Sequence, residues 1–357
     1  MKIMITGICG FVGSTLAASL LEYCPETVLF GMDNFIRPGS EENRRHLQRL
    51  GVKLFHGDIR CASDFETLPP IDWVIDASAN PSVLAGTDGQ TSSRQLIEHN
   101  LLGSINILEY CKRHQAGFIL ISTSRVYSID LLAKVDVETN GEAFCLREGN
   151  KLPPGLSAAG ISEKFSTSPP ISLYGSSKLA SEVLALEYGD TFDFPVYINR
   201  CGVLAGAGQF GRPDQGIFAY WINAWLRRKP LTYIGFGGNG CQVRDCLHPS
   251  DLIPLLGKQM IAGLGHSQRV LNIGGGLCNS MSLAQLSAWC RERYGDHKVS
   301  GVPDIRRFDI PWLVMDSTLA RETWEWTPRT SLEEVLAEIA DHAERHPEWL
   351  ELSGCHD

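Results

Sequence analysis

The sequence lacks paired cysteines, an apolar stretch long enough to cross a membrane, and an excess of basic residues. Its eleven cysteines include no CxxC pair, and the closest two, Cys241 and Cys246, have no second pair that would complete a zinc site. The formal net charge of −9 disfavours a nucleic-acid partner or an anionic membrane surface. We therefore expect no metal, no nucleic-acid partner, no membrane partner and a cytoplasmic protein with reduced cysteines.

Neither an internal repeat nor a low-complexity tract is visible, so the chain is expected to fold as an ordinary globular protein. Its 357 residues are 43% hydrophobic, enough for one large domain or two smaller ones. The chain begins with an apolar strand-like segment, residues 2–6, and apolar residues at helical spacing follow over 11–23. Between and within them lie Gly7, Gly10 and Gly13, in the spacing GxxGxxG. A strand, a glycine turn and a helix in this order predict a cradle for a pyrophosphate, because the backbone can approach closely and the helix N-terminus offers free N–H groups.

An acidic residue, Asp33, follows the second predicted strand, 27–32, and stands 20 residues after Gly13. A carboxylate at this position is placed to bond the ribose hydroxyls of an adenosine. The same carboxylate would repel a 2′-phosphate, so the pattern favours NAD over NADP. Arg37, four residues further on, would soften that repulsion.

Further strands are predicted over 52–56, 73–76 and 117–122, with helices over 41–50 and 94–112 between them. This alternation predicts an α/β fold with a doubly wound parallel sheet of the Rossmann type. Ligands of such sheets bind beyond the carboxyl ends of the strands. The residues that fall at those ends are Asp58, Ala77, Ser78, Ala79, Ser122, Thr123 and Ser124. For Asp58 two roles are equally open: a contact to the adenine amino group, or the N-cap of the next helical segment.

Residues 128–170 interrupt the alternation and predict a long insertion, of the kind that often forms a lid or a substrate wall. After it, a helix over 174–188 and a strand over 195–199 complete a first domain, which we place mainly at 1–200. The less regular remainder, 201–357, is expected to form a smaller, mixed substrate-binding lobe, with some return of the chain to the first domain.

Tyr174 and Lys178 stand four residues apart at the start of a predicted helix, a spacing that puts both side chains on one face. A lysine ammonium beside a phenol favours the phenolate, so we expect the pKa of Tyr174 to be lowered. Such a tyrosine takes a proton from a sugar hydroxyl, which Thr123 would steady by a hydrogen bond. Taken alone, a Tyr and a Lys at this spacing more often lie on the exposed face of a helix. Together with the glycine motif and the Ser-Thr strand end, the spacing favours a catalytic role.

The chain resembles the extended short-chain dehydrogenase/reductases, the nucleotide-sugar epimerase and dehydratase family, over nearly its whole length. The resemblance is carried by TGICGFVGS, the acid in GMDNF, HGDIR, the Ser-Thr strand end before Val126-Tyr127, YGSSK, Arg200, QVRDCLH and LNIGGG. It implies an NAD-dependent enzyme that acts on a nucleotide-diphosphate sugar, assembles as a homodimer or homotetramer, and uses Thr123, Tyr174 and Lys178 as its catalytic set. The implied cofactor-binding positions are Gly7, Gly10, Phe11, Val12, Gly13, Asp33, Asn34, Asp58, Ile59, Ala77, Ser78, Ala79, Asn100, Ser122 and Arg200. The implied substrate-binding positions are Ser124, Gln209, Gln215 and Arg244.

Within the family the chain most resembles the CDP-sugar 2-epimerases. The shared features are the long insertion before YxxxK, Gln209-Phe210 followed by Asp214-Gln215-Gly216, GNGCQVRDCLHPSD, and NIGG with NSMSL. This resemblance implies epimerisation at C2 through a transient keto-sugar. The chain departs from the family pattern at Leu204, where a Tyr is usual, and at Pro311, where an Arg that grips the diphosphate is expected. Either Arg306 or Arg307 replaces that arginine, or the diphosphate is held differently.

Three other functions were weighed against this one. A UDP-sugar 4-epimerase uses the same catalytic trio, and these residues leave it open. A sugar-nucleotide dehydratase is disfavoured, because family dehydratases follow the strand-end Thr with Asp-Glu, whereas Thr123 is followed by Ser124 and Arg125. A non-catalytic dinucleotide-binding protein is also disfavoured, because it would have no need of both Tyr174 and Lys178.

Overall fold

The fold was examined in a computed structural model, which describes residues 1–87, 92–149, 151–304 and 306–355. The strands are β1 Lys2–Thr6, β2 Val28–Asp33, β3 Lys53–His56, β4 Trp73–Asp76, β5 Gly117–Thr123, β6 Val137–Asn140, β7 Ala143–Leu146, β8 Leu156–Ser157, β9 Gly160–Ile161, β10 Val196–Cys201, β11 Val203–Leu204, β12 Leu231–Ile234, β13 Val243–Leu247, β14 Val270–Ile273, β15 Ser280–Ser282, β16 Val299–Val302 and β17 Trp312–Leu313. The helices are α1 Phe11–Tyr23, α2 Ser40–Arg49, α3 Ser93–Ile97, α4 Gly103–His114, α5 Ile129–Ala133, α6 Ser172–Phe192, α7 Ile217–Leu226, α8 Ile253–Ala262, α9 Leu283–Tyr294, α10 Thr318–Trp324, α11 Leu332–Arg345 and α12 Trp349–Leu352.

Seven strands form the main sheet, in the order β14-β10-β5-β4-β1-β2-β3, and every neighbouring pair is parallel. The predicted doubly wound parallel sheet is therefore confirmed. The chain winds from β1 out to β3 on one side and from β4 out to β14 on the other, so the strand order reverses between β1 and β4. Crevices at such a reversal are where ligands of these sheets bind.

Successive residues of β1 pack on opposite faces of the sheet, which explains why the strand reads as a continuous apolar run. Ile3 and Ile5 join a buried cluster that includes Leu16 of α1 and Leu255 of α8. Met4 joins the opposite cluster, which includes Ile107 of α4. Each face of the sheet is thus covered by helices, and its carboxyl edge is left to the loops that form the site.

The helix predicted over 94–112 is present but is not uniform. Between α3 and α4 the chain makes a π-helical turn, Glu98–Leu102, in which the helix takes one extra residue per turn. Asn100 lies in this turn, and so does its neighbour His99. An extra residue rotates the following side chains around the helix axis, so sequence spacing alone does not tell which of them face the sheet edge.

A second lobe is built around β13, which pairs with β11, β15 and β17. Its helices α7, α9 and α11 share a buried cluster that contains Trp221, Trp225, Leu286 and Leu336. The main sheet also takes a strand from this later part of the chain, because β14 pairs with β10. The exact domain bounds of 1–200 and 201–357 stay a prediction.

The insertion has more internal structure than its composition predicted. It contains α5 and two small hairpins, β6 with β7 and β8 with β9. Its apolar residues, among them Leu132 and Phe165, pack against Ile310 and Val314. In the part of the chain that the structure describes, no helix combines the length and apolarity needed to span a membrane.

Candidate active site

A cavity of about 690 Å³ opens at the carboxyl edge of the main sheet. Its wall is formed by the glycine turn before α1, by the ends of β2, β4 and β5, and by the loops that follow β10 and β16. The predicted residues that line it are Gly7, Gly10, Phe11, Val12, Gly13, Asp33, Asn34, Ile59, Ala77, Ser78, Ala79, Ser122, Thr123, Ser124, Tyr174, Gln209, Gln215 and Arg244. The predicted residues outside the wall are Asp58, Asn100, Lys178 and Arg200.

The long insertion is of the kind that often forms a lid or a substrate wall, and such a role here stays a prediction. No described residue of 128–170 lines the cavity. The backbone N–H of Phe144 donates to the carbonyl of Cys241 at 2.9 Å, and the hydroxyl of Ser282 donates to the carbonyl of Glu142 at 2.6 Å. The insertion is held on the second lobe by these contacts and by its buried apolar residues, so it supports the cavity wall from behind.

The glycine turn is built by close backbone approach. Gly7 has a φ of +65°, and a Cβ atom there would lie 2.8 Å from the Cα of Ser78. A Cβ atom on Gly13 would lie 2.3 Å from the carbonyl oxygen of Gly7. Helix α1 follows Gly10 with no side-chain cap, so the N–H groups of its first turn face the cavity without a side-chain acceptor. This arrangement fits the pyrophosphate of a dinucleotide.

Asp33 holds the glycine turn to the end of β2. Its carboxylate accepts hydrogen bonds from the backbone N–H of Cys9 and of Phe35, each at 2.8 Å. Burial raises the pKa of Asp33, and these backbone donors act in the opposite direction. The carboxylate also lines the cavity, and each of its oxygens has acceptor capacity beyond the one backbone bond. The predicted ribose contact is compatible with this geometry and stays a prediction.

Asp58 is not the N-cap of the next helical segment, and its contact to an adenine amino group stays a prediction. Burial would raise its pKa, but hydrogen bonds from Arg60 and Asn34 lower the pKa well below its usual range. The guanidinium of Arg60 donates to both carboxylate oxygens, with the shortest contact at 2.6 Å. The next helical turn, Ala62–Phe65, is preceded by Cys61 as its N-cap. Asp58 thus orders the loop after β3, and it is neighbouring Ile59 that reaches the cavity.

His99 is a cavity residue that sequence reasoning missed. Its Nδ1 lies 2.9 Å from the carbonyl oxygen of Gln95, so that nitrogen carries the proton and Nε2 is left as an acceptor. Nε2 is buried and has no hydrogen-bond partner among the described residues. Burial lowers the pKa of His99, which keeps the ring neutral. The residue lines the cavity while its Nε2 atom is buried, and its signal in the sequence was only its place beside Asn100.

Asn100 turns away from the cavity. Its side-chain oxygen accepts from the backbone N–H of Asn80 at 2.8 Å, and its amide nitrogen donates to the carbonyl of Asn80 and to Ser177, each at 3.1 Å. It therefore ties the loop after β4 to helix α6. This loop carries Ala77, Ser78 and Ala79, so Asn100 acts on the cofactor wall only through its neighbours.

Thr123 and Tyr174 meet at the cavity wall. Thr123 ends β5, Tyr174 lies in the first turn of α6, and both residues line the cavity, where the Thr123 hydroxyl is near enough to act on the pKa of Tyr174. A Cβ atom on Gly175 would lie 2.2 Å from the carbonyl oxygen of Arg125, so the start of α6 packs directly on the turn after β5. Close packing at this glycine places the first turn of α6, with Tyr174, beside the carboxyl end of β5.

The expected lowering of the Tyr174 pKa is not present in the protein without ligands. Burial raises the pKa of Tyr174 to about 12, against the lowering effects of the Thr123 hydrogen bond and the Arg125 charge. Lys178 is buried one turn along α6, and its ammonium makes no hydrogen bond to any residue the structure describes. Burial lowers the pKa of Lys178, while Asp76 and Glu182 act to raise it. Such a buried donor without a partner fits a ligand hydroxyl.

Arg200 is a core residue, contrary to its predicted place at the cofactor. Its guanidinium donates to Glu182 through Nε, at 3.0 Å, and through Nη2, at 2.7 Å. The hydroxyls of Tyr127 and Ser122 belong to the same buried network. The ion pair satisfies both charges, so Arg200 stabilises the sheet beneath the site.

On the substrate side, the predicted residues are partly engaged with the protein. Arg37 donates to the side-chain oxygen of Gln215 and to the carbonyl of Phe210, which links the loop after β2 to the second lobe. Gln209 donates to the carbonyl of Leu204 at 2.8 Å, and its own side-chain oxygen is buried without a partner among the described residues. Gln209 therefore lines the cavity, but its unpartnered oxygen is enclosed by the protein.

Arg244, on β13, is paired with Asp309 on the loop after β16. The Nη2 group donates to Asp309 at 3.0 Å and to the carbonyl of Ile310 at 2.8 Å, and Nη1 donates to the carbonyl of Val243. Although the chain is acidic overall, the cavity wall has more arginines than acids. The arginines are Arg37, Arg125, Arg244, Arg306 and Arg307, and the acids are Asp33, Asp214 and Asp309. This excess of positive charge suits a diphosphate. Across the described ranges, no group of three or more His, Cys, Asp and Glu side chains could hold a metal ion.

Comparison with known proteins places this geometry in a family. A family model described as the NAD dependent epimerase/dehydratase family matches residues 3–274. CDP-paratose 2-epimerase of Salmonella typhi is 30% identical, over 96% of this chain and 98% of that protein. An uncharacterized UDP-glucose epimerase of Bacillus subtilis is 28% identical, over 95% of this chain and 97% of that protein.

Solved structures agree with this assignment. The crystal structure of UDP-glucuronic acid 4-epimerase from Bacillus cereus, in complex with UDP-glucuronic acid and NAD, matches with a TM-score of 0.75 and 26% identity. The match covers 97% of this chain and 99% of that one. The glycine turn, the unpartnered His99 acceptor and the Thr123–Tyr174 pair therefore lie in a fold shared with proteins that carry out NAD-dependent chemistry on nucleotide sugars. The chain belongs to the NAD dependent epimerase/dehydratase family, an enzyme family of nucleotide-sugar metabolism whose cofactor is NAD.

Proposed function

We propose that the enzyme inverts C2 of a CDP-sugar through a transient keto-sugar, without net consumption of NAD. The observation that carries this proposal is that Thr123 and Tyr174 line the same cavity as the dinucleotide cradle formed by the glycine turn. The base and the sugar carbon are supported by the likeness to CDP-paratose 2-epimerase over nearly the full length of both chains.

In this proposal Tyr174 takes the proton from the reacting hydroxyl, and Thr123 holds that hydroxyl in place. When bound, NAD supplies an oxidised nicotinamide ring that takes up a hydride reversibly and adds a positive charge beside the phenol. That charge, with Arg125 and Lys178, favours the phenolate and opposes the effect of burial on the pKa of Tyr174. The same tyrosine returns the proton once the sugar has presented its other face.

Other residues of the cavity wall would bind the adenosine ribose of NAD and the diphosphate of the sugar nucleotide. Asp33 would bond the ribose hydroxyls of NAD, and Arg37, whose Nη groups both donate to the second lobe, would not compensate a 2′-phosphate. Arg244 would contact the diphosphate of the sugar nucleotide, with Asp309 fixing the plane of its guanidinium. Gln209, Gln215 and Ser124 would complete the substrate wall.

A UDP-sugar 4-epimerase is the second candidate, because the matched Bacillus cereus enzyme is a UDP-glucuronic acid 4-epimerase. The two functions differ in the base and in the sugar carbon that faces Tyr174. A dehydratase is disfavoured, because Ser124 and Arg125 supply no carboxyl group beside Thr123 for the removal of water.

The test incubates the pure NAD-loaded enzyme with CDP-, UDP-, GDP- and dTDP-sugars in D₂O and follows the sugar ring by NMR. We expect a CDP-sugar to be epimerised at C2 with the original hydrogen retained, since the hydride returns to the carbon that released it. Turnover of a UDP-sugar at C4 would assign the second function. Deuterium at the inverted carbon would contradict the redox mechanism altogether.

Assembly and location complete the proposal. We expect a homodimer or homotetramer, because Leu102, Leu173 and Val183 leave apolar surface exposed around α4 and α6. Light scattering at micromolar concentration would measure the mass directly. We also expect a cytoplasmic enzyme, where its nucleotide-sugar substrates are made.

A further inference from the structure

Arg125 is the cavity residue whose place the proposed function leaves unexplained. It follows Thr123 and Ser124 in the turn after β5, and its backbone N–H donates to the hydroxyl oxygen of Thr123 at 3.2 Å. Its side chain lines the same cavity as Thr123 and Tyr174. Its charge acts on Tyr174, lowering the pKa of the phenol against the effect of burial. The guanidinium therefore lies close to the point where the sugar must react.

Within the described chain, the side chain of Arg125 is poorly satisfied. Its one hydrogen bond there is from Nη1 to the carbonyl of Phe308, at 3.4 Å. The Asp309 carboxylate acts on the charge of Arg125, but it accepts its hydrogen bonds from Arg244 and from the backbone N–H of Ile310 at 2.9 Å, both through Oδ1. A guanidinium has five N–H donors, so most of those on Arg125 face the cavity without a protein acceptor. A guanidinium at the cavity wall with so few protein acceptors is suited to bind an anionic group of the ligand.

The chemistry of a nucleotide sugar limits which anion this is. Its permanent charges are on the diphosphate, unless the sugar carries a carboxylate. The phosphate is attached at the anomeric carbon, which is bonded directly to C2, whereas C4 lies on the far side of the ring. A cation next to Tyr174 therefore reaches that phosphate when C2 is the reacting carbon. With C4 at Tyr174, the group within reach is the substituent on C5.

We propose that Arg125 binds the sugar-linked phosphate and thereby fixes C2 as the carbon that faces Tyr174. The inference rests on the proposed function, which supplies the CDP-sugar. Arg244, with three protein acceptors, would then orient the diphosphate from the side of the second lobe, and Arg125 would hold its sugar-linked end. Arg125 acts as a specificity-determining residue, since it selects the orientation of the ring.

The test measures binding of CDP and of CMP to the NAD-loaded, full-length protein by calorimetry. CDP carries the phosphate in question and CMP lacks it, so their affinity ratio isolates the contact. We expect Arg125→Met to reduce that ratio about 10- to 100-fold with CMP affinity unchanged, as fits the loss of charge-assisted hydrogen bonds. Arg125→Lys should lower the CDP-to-CMP affinity ratio less, because lysine keeps the positive charge but lacks the paired N–H donors of the guanidinium. Arg291→Met, which removes an exposed arginine of α9, is the matched control and should leave the ratio unchanged.

Two outcomes would overturn the assignment. One is an unchanged CDP-to-CMP ratio in Arg125→Met with NAD affinity intact. The other is a loss in Arg125→Met that appears with UDP-glucuronate but not with UDP, which would assign Arg125 to a sugar carboxylate. If cytidine nucleotides bind weakly and another base binds tightly, the proposed base is wrong, and the same ratio is measured with the diphosphate and monophosphate of that base. Failure of the proposed function and failure of the Arg125 assignment are thus separated.

Discussion

The cofactor side and the substrate side of the cavity are built by different means. On the cofactor side, the wall is mostly backbone and small side chains: the glycine turn, the Ala77–Ala79 strand end and the uncapped start of α1. On the substrate side, the wall has many long polar side chains from segments that are distant in sequence, such as Arg125, Arg244 and Arg306. A wall made of backbone can be predicted from the local spacing of residues in the sequence. A wall made of long side chains depends on packing between segments that are far apart in the sequence.

The difference also concerns how fully each side is satisfied by the protein. Arg37 links the two sides, because its guanidinium donates hydrogen bonds to Gln215 and to the carbonyl of Phe210. The guanidinium of Arg244 donates to Asp309. His99 and Lys178 keep unpartnered nitrogens in the described structure. A ligand that binds must match the groups left over, and these groups differ from those that sequence motifs indicate.

The largest effect is expected where the two sides meet, at Tyr174. Tyr174→Phe removes the hydroxyl that exchanges the proton and keeps the shape of the ring, so turnover should fall about 10²- to 10⁴-fold. NAD affinity and thermal stability should remain near those of the wild type. Tyr188→Phe, on the exposed part of the same helix, is the control and should retain full turnover. Full activity in Tyr174→Phe would mean that another group carries the proton.

A backbone wall should be intolerant of even one added methyl group. Gly13→Ala places a Cβ atom 2.3 Å from the carbonyl oxygen of Gly7 and 2.6 Å from the Cα of Ile8. Overpacking of this kind typically costs about 1–3 kcal/mol of stability, and we expect NAD affinity to fall about 10- to 100-fold as the turn shifts. Gly265→Ala, where nothing lies within 4 Å of the added atom, should change neither quantity. Normal NAD affinity in Gly13→Ala would show that the turn yields without affecting the cradle.

Most of the fold and the cofactor wall was predictable because both depend on local patterns. The alternation of strands and helices predicted the parallel sheet, and Gly7, Gly13 and Asp33 lie where their spacing placed them. Asp58 and Arg200 lie at the expected positions in the chain, but the protein itself supplies them with partners that the sequence did not indicate. Their charges are taken up by Arg60 and Glu182, and a sequence does not reveal which of several nearby charges a side chain will choose.

The remaining features that the sequence did not reveal have specific physical causes. Both His99 and Asn100 lie in the π-helical turn Glu98–Leu102, where His99 lines the cavity and Asn100, which the family resemblance placed at the cofactor, does not. The pKa of Tyr174 went in the opposite direction from the expectation, because burial outweighs the nearby positive charges. The insertion packed behind the wall, because its apolar residues found partners around Ile310 that lie far along the chain.

The buried carboxyl group of Asp245 allows a test based on the pH dependence of stability. Asp245 lies on β13, and Cβ atoms on Gly202 and Gly274 would lie 2.7 Å and 2.2 Å from its carboxylate, so three segments meet there. Burial raises the pKa of Asp245 to about 7, against the effect of backbone N–H groups of Met315, Gly275 and Gly276. An unfolded aspartate has a pKa of about 3.9, so between about pH 4 and pH 7 the folded chain holds a proton that the unfolded chain lacks.

The stability contributed by Asp245 is therefore present at acid pH and is lost as the pH rises toward 7, with a slope of at most about 1.4 kcal/mol per pH unit. Asp245→Asn cannot titrate, so its free energy of unfolding should change less over this range than that of the wild type. Denaturant unfolding at several pH values measures the difference. Asp130→Asn, at an exposed position, should keep the wild-type profile. Parallel profiles for wild type and Asp245→Asn would mean that the carboxyl group is ionised in the folded chain.

The smallest effect concerns the one long polar side chain that we assign to the adenine end of the cofactor wall. Gly103 packs against Ile59, which places the turn carrying His99 beside the wall at Ile59. The Nε2 atom is buried in the protein without ligands, so the adenine amino group reaches it only when NAD binding shifts the ring. In that case His99→Leu removes one hydrogen bond, and NAD affinity should fall about 2- to 10-fold. Nicotinamide mononucleotide, which has no adenine, should bind wild type and variant equally. His266→Leu, whose ring stacks on Trp324 away from the cavity, should alter neither affinity. An equal loss for both ligands would make His99 a packing residue, and the cofactor side would then be a wall of backbone and small side chains throughout.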